Sequence, residues 1–289
     1  MRFLSFETQG RKGLAVAAAS GEFRGLTEDH ADYPGDLSAI LERGDGALPA
    51  AAAALSAGAP IDLDAISFGL PIASPRKILC VGLNYADHSA ESGFQPPDYP
   101  TVFGRFTSSL VPHRDDLVQP TVSAAFDYEG ELVAVIGKGG RNIPEERALE
   151  HVAGYSLFND GSVRDYQMRT PQWTIGKNFD GTGGFGPYLV TADELPPGAA
   201  GLRLVTRLNG EIVQDASTDD LLFSVARLVS LLSATMTLEP GDLIVTGTPS
   251  GVGFARKPPL FMKPGDICEV EVEGVGCLVN PVVGESGNA

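Results

Sequence analysis

The chain has 289 residues, 43% hydrophobic and 20% charged, enough apolar material for a globular core. Its 35 glycines and 21 prolines make it turn-rich, short of the ~25–30% Gly plus Pro that marks low-complexity disorder. With 21 basic and 37 acidic residues the formal charge is −16, a field that repels phosphate backbones and anionic lipid and argues against nucleic-acid or membrane-surface partners.

Residues 1–70 read as a small N-terminal domain and residues 71–289 as the main domain. MRFLSFET and GLAVAAAS suggest two strands joined at Gly10–Gly13, followed by helices around Asp36–Arg43 and Leu48–Ala57. SFGLPIASPRK, with Pro71 and Pro75, reads as a linker. Beyond it, short runs rich in Val, Ile, Leu and Phe alternate with Gly, Pro and Asp: KILCVGLNY, ELVAVIG, GYSLFND, GPYLVTADEL, LRLVTRLNG and DLIVTGTPSGVG. FSVARLVSLLSATM carries the clearest helical period, with HSAE, EERALEHV and VRDYQMR as shorter candidates. Asn209–Gly210 is a hairpin signal, and EVEVEGVGCLVN alternates as a half-buried strand should. Strands predominate, which predicts a mixed α+β, mainly β fold and not a doubly wound sheet.

Cys80, Cys268 and Cys277 form no CxxC or Cys/His zinc spacing, and the N-terminus has no secretory stretch. The Ala-rich ALPAAAAALSAGAP is too short to span a bilayer. A soluble, cytoplasmic chain with reduced thiols is expected.

The candidate chemistry lies in five segments. In FDYEGELVAVIG, Glu129 and Glu131 are two apart, so on a strand both carboxylates point to one face. They are either exposed acids or a pair with a cation or proton between them. Asp160 ends the next apolar run, before a helix-like segment, either as a favourable helix-start acid or as a third ligand. Three carboxylates suit a hard divalent cation, Mg²⁺ or Mn²⁺, and not zinc. His88 and Glu91 in NYADHSAESG stand three apart, meeting on one helical turn as a surface salt bridge or as an oriented general base. Lys177 sits in the Gly-rich WTIGKNFDGTGGFGP, and Thr246, Thr248 and Ser250 in the Gly-rich TGTPSGVGF. Neither loop matches a P-loop or a dinucleotide-binding turn, and GTPSG is out of register with a serine nucleophile elbow.

Taken in order, NYADHSAE, YPTVFGRFTSSLVPH, DYEGELVAVIGK, GYSLFNDGSVRD, WTIGKNFDG and GDLIVTGTPSGVG resemble the fumarylacetoacetate hydrolase family over about Pro75 to Val283. The resemblance implies a mixed β-sheet roll with a small N-terminal domain, as in the shorter bacterial branch, and a homodimer. It implies Glu129, Glu131 and Asp160 as Mg²⁺ (or Mn²⁺) ligands, and Lys177 beside the substrate oxygens. His88 and Glu91 match a water-activating dyad, while Arg164, Gln167 and Thr248 match substrate contacts. Arg105 stands where many members carry Lys in an FxK motif. The activity so implied is Mg²⁺-dependent C–C hydrolysis of an acylpyruvate-type 2,4-dioxo acid. The alternatives are decarboxylation of an oxaloacetate-type 2-oxo acid and isomerisation of a 2-hydroxydienedioate in aromatic catabolism. A non-catalytic metal-binding relative is the remaining reading.

Overall fold

A computed structural model describes residues 1–86 and 98–286. Among these residues the chain is mainly β, with a twelve-stranded mixed sheet, a five-stranded sheet and a two-stranded ribbon. At the centre of the large sheet, Gly130–Ile136 lies between the antiparallel strands Val152–Asp160 and Leu243–Val245. Leu243–Val245 runs parallel to Ile78–Gly82, which pairs with the edge strand Thr101–Gly104. On the other side Val152–Asp160 pairs with Gly183–Thr191.

The near-continuous apolar run ELVAVIG has a simple cause. Both faces of its strand are covered, so neither tolerates polar residues beyond Glu131. Leu132, Ala134 and Ile136 pack with Leu204, Val270 and Leu278 of the five-stranded sheet. Val133 and Val135 pack on the opposite face, in a core that includes Phe158, Phe185 and the N-terminal helices.

The N-terminal strands continue the large sheet, because Arg2–Thr8 pairs with Gly183–Thr191 through Arg2↔Val190 and Phe3↔Leu189. Helix Leu37–Glu42 is capped by Asp36, whose side chain accepts from the Ala39 amide, and helix Ala47–Ser56 follows. Helix Val225–Thr235 buries Val225, Leu228, Val229 and Leu232, the one-sided period visible in its sequence. Asn209 and Gly210 both take positive φ between Arg203–Leu208 and Glu211–Ser217, closing the expected hairpin.

Two local expectations change. EVEVEGVGCLVN is two strands, Ile267–Val272 and Gly276–Gly284, because Gly274 at φ +76° reverses the chain between them. EERALEHV forms a 3₁₀ helix, Glu145–His151, the tighter i→i+3 winding, and not an α-helix. The three cysteines are free thiols. No helix among the described residues is long and apolar enough to cross a membrane.

Candidate active site

Strand register assembles the acidic cluster. Gly130 pairs with Asn159 and Glu131 with Phe158, and the Asp160 amide donates to the Glu129 carbonyl at 2.8 Å. Glu129 and Asp160 therefore stand opposite each other at the end of the ladder, with Glu131 two residues along on the same side. One carboxylate oxygen from each can lie within 4.8 Å of the others. All three are buried, at 6%, 2% and 0% exposure, so these are not surface acids.

Two cations enter from the following segment. Arg164 opens the short helix Arg164–Gln167, and Lys177 ends the 3₁₀ helix Trp173–Lys177. Lys177 Nζ donates to Glu129 Oε2 and Asp160 Oδ2, each at 2.7 Å. Burial alone would lower the Lys177 pKa, but Asp160 and Glu129 raise it, so the ammonium keeps its charge. Arg164 donates from Nε to Asp127 Oδ2 at 2.7 Å, and from Nη1 to Glu129 Oε1 at 2.6 Å and Gln167 Oε1 at 2.9 Å. Its buried Nη2 has no hydrogen-bond partner among the described residues.

Glu131 is placed differently. It accepts from the Gly247 amide, and no lysine or arginine among the described residues pairs with it. Burial, then Asp160 and Glu129, push its carboxyl well above the usual range. Three hard oxygen donors short of one positive charge are a donor set that fits a divalent cation such as Mg²⁺ or Mn²⁺. Gly247 explains the glycine after DLIVT: it sits at φ +104°, and a Cβ there would lie 2.8 Å from Asn84 Cβ. That conformation presents its amide to Glu131.

Thr248 lines the same pocket, but its hydroxyl donates to Gly130 O at 3.0 Å and accepts from Gln214 Nε2 at 2.8 Å. To donate to a substrate it must release Gly130. The remaining wall is largely apolar, with Val81, Phe103, Met168, Trp173 and Phe254. Trp173 stands edge-on to Phe103, and only a glycine fits at position 82, where a Cβ would be 2.3 Å from the indole ring.

The structure thus lines one pocket with Glu129, Glu131, Arg164, Gln167 and Thr248, and sets Asp160 and Lys177 beside Glu129 at its acidic end. His88 and Glu91 lie outside the described residues. Two participants, Asp127 and Gln214, escaped the sequence reading, and Arg105 was singled out there without a role. Asp127 anchors Arg164 and accepts from the amides of Gly253 and Phe254, and its i, i+2 spacing to Glu129 was the available signal. Gln214 holds Gly130 and Thr248 from the neighbouring sheet, with no local signal to mark it. Arg105, which departs from the family's Lys, donates to Asp160 Oδ1 at 2.5 Å.

Gly176 sets the placement of Lys177, since a Cβ there would lie 2.3 Å from the Gln167 amide nitrogen. Gly176→Ala is expected to cost about 1–3 kcal/mol through overpacking and to lower kcat. Thermal melts and steady-state rates on the same preparation check both effects.

The match to known proteins is extensive. Residues 77–283 match the family model described as "Fumarylacetoacetate (FAA) hydrolase C-terminal". The chain is 40% identical to a protein of Rattus norvegicus named as a mitochondrial oxaloacetate tautomerase, over 98% of this chain and 92% of that one. It is similar to the structure of fumarylacetoacetate hydrolase from Exiguobacterium antarcticum, at TM-score 0.85 and 36% identity over 99% and 100% of the two chains. It is also similar to fumarylpyruvate hydrolase from Pseudomonas aeruginosa in complex with Mn²⁺ and pyruvate, at TM-score 0.67 and 39% identity over 73% and 91%. With its mainly β fold and clustered acids, the chain belongs to the fumarylacetoacetate hydrolase family of enzymes.

Proposed function

We propose that the protein binds Mg²⁺ or Mn²⁺ at Glu129, Glu131 and Asp160 and catalyses proton transfer next to the 2-oxo group of an oxaloacetate-class acid. The observation that carries this reading is the buried carboxylate cluster with Lys177 inside it. The relative named as an oxaloacetate tautomerase, which matches along nearly the whole chain, supports the substrate class. When bound, a divalent cation supplies positive charge beside the oxygens of a 2-oxo acid and lowers the cost of removing a proton from the neighbouring carbon.

The chain's own residues do the rest. Lys177 Nζ holds a proton beside the cluster and offers it as a hydrogen bond to the oxygen that gains charge. Arg164 Nη2, buried and without a partner among the described residues, supplies a charged donor for a substrate carboxylate. Gln167 and Asp127 hold the guanidinium plane. The apolar wall of Phe103, Trp173 and Phe254 limits water and strengthens these interactions. In tautomerisation the carbon-bound proton leaves and the 2-oxo oxygen gains one, so atoms balance without a co-reactant. His88, oriented by Glu91, is the proposed base.

Hydrolysis of an acylpyruvate is the second reading. It is favoured by the likeness to a fumarylpyruvate hydrolase and by the same His88/Glu91 pair acting on water. A substrate panel with product identification separates the two. Faster enol–keto exchange of oxaloacetate with no gain in pyruvate release supports the first. Release of pyruvate and a carboxylic acid from an acylpyruvate, with oxaloacetate exchange unchanged, supports the second and overturns the first. In either case His88→Ala should cut kcat by ~10²–10⁴-fold while leaving Mg²⁺ binding nearly intact. Wild-type turnover in that variant would remove His88 from the mechanism.

The homodimer implied by the resemblance is kept as a proposal, since Thr101–Gly104 leaves a sheet edge among the described residues that needs cover. Light scattering at micromolar concentration should give about twice the chain mass of 30.3 kDa. A monomer across that range refutes it.

A further inference from the structure

We infer that Arg105 is a positioning residue that occupies one oxygen of Asp160 and thereby sets the cation site's preference for small ions over Ca²⁺. The inference rests on the proposed reading of Glu129, Glu131 and Asp160 as cation ligands. Arg105 follows the strand Thr101–Gly104 and is 4% exposed. Its guanidinium is held on every side. Nη1 donates to Asp160 Oδ1 at 2.5 Å and to Gly161 O at 3.1 Å. Nη2 donates to Thr182 Oγ1 at 2.9 Å, and Nε to Ser109 Oγ at 3.1 Å. Both hydroxyls spend their own protons elsewhere, Thr182 on Phe179 O and Ser109 on Phe106 O, so each presents a lone pair to the arginine. Room for the fork exists because residue 183 is glycine; a Cβ there would lie 2.7 Å from Nη2. A lysine, with one compact ammonium on a flexible stem, could not span these four partners.

The two oxygens of Asp160 are therefore divided. Oδ1 is spent on Arg105, while Oδ2 meets Lys177 at 2.7 Å on the side of the acidic cluster. Asp160 so held turns a single oxygen toward the cluster. Ca²⁺ takes six to eight oxygens and draws on bidentate carboxylates, whereas Mg²⁺ needs few protein oxygens in a tight octahedron. Fixing Asp160 in this way disfavours Ca²⁺. Freeing Oδ1 should relax the discrimination.

The test is calorimetric titration of the full chain with Mn²⁺ alone and with Ca²⁺ alone. Wild type, Arg105→Lys, Arg105→Gln and Thr182→Val are compared, with thermal melts to confirm folding. Wild type is expected to prefer Mn²⁺. Arg105→Gln should lose ~10–100-fold in Mn²⁺ affinity, as removal of an outer-shell partner typically does, with a smaller loss for Ca²⁺, so the preference narrows. Arg105→Lys should fall between, and Thr182→Val, which keeps the charge but removes one anchor, should narrow it less. If Arg105→Gln does not fold, the Lys and Val variants decide. A merely structural Arg105 would weaken both ions in parallel; that result, or an unchanged preference, overturns the inference while leaving the cation site standing. A wild-type protein that binds neither ion overturns the site reading and this inference with it.

Discussion

Glu131→Gln is expected to lower kcat at fixed Mg²⁺ by at least the ~10–100-fold in activity that loss of even an outer-shell partner costs, because it removes a charged ligand of the proposed cation site. Binding of Mg²⁺ or Mn²⁺ should weaken by at least the ~10–100-fold that loss of an outer-shell partner costs. The amide keeps the side chain's shape and can still accept from Gly247, so the lost quantity is charge. The substitution should also change the pH dependence. In the wild type, burial and then Asp160 and Glu129 hold the Glu131 carboxyl well above its ordinary value of 4.5. A raised folded-state pKa contributes stability fully below the ordinary value, and that contribution is lost as pH climbs toward the raised one. The metal-free protein should therefore lose stability over that window, while cation binding, which needs the ionised carboxylate, tightens across it. Glu131→Gln should flatten both trends. Melting curves against pH, with and without Mg²⁺, measure this; identical profiles for wild type and variant would remove Glu131 from the proposed ligand set.

Lys177→Met should be costly to both fold and reaction. Breaking a buried ion pair by removing one partner costs about 3–5 kcal/mol, because the other charge stays buried. Lys177 bridges two carboxylates at 2.7 Å each. The lower end is expected, about 3 kcal/mol, since Arg164 still pairs with Glu129 and Arg105 with Asp160. The metal-free variant should gain more from a divalent cation than wild type does, because the ion replaces the missing charge. Saturation at 100 times Kd contributes about 2.7 kcal/mol by mass action. Activity should not recover with it: loss of the Lys177 hydrogen bond to the reacting oxygen predicts a kcat reduced by about 10²–10³-fold at saturating cation. Denaturant melts and rates at fixed Mg²⁺ report the two effects separately. Full activity at saturating Mg²⁺ would confine Lys177 to a structural role.

Much of the site was legible because its chemistry depends on residue type and short spacing. Glu129 and Glu131 at i, i+2 announce two carboxylates on one face of a strand. Lys177 among glycines and Thr248 after DLIVTG mark loops where backbone and ligand can approach closely. Arg105 was visible only as a departure from the family's Lys; its four partners come from residues 109, 160, 161 and 182, which no local pattern connects. Asp127 reads as one more acid of FDYEGE until Arg164 is seen bonded to it.

By itself the sequence determined the elements whose causes are local. Asn209–Gly210 makes a hairpin because both residues tolerate positive φ. Val225–Thr235 is a helix because its apolar residues recur every three or four positions after a serine cap. The alternation of Glu269, Glu271 with Val270, Val272 gives a strand buried on one side. The tertiary structure alone decided whether the acids form a site. Glu129 faces Asp160 only because Gly130 pairs with Asn159, and a slip of one residue would turn the Asp160 side chain to the opposite face of the sheet. That register is held by covering both faces of the central strands with separate apolar cores, a global packing condition that no window of the sequence contains.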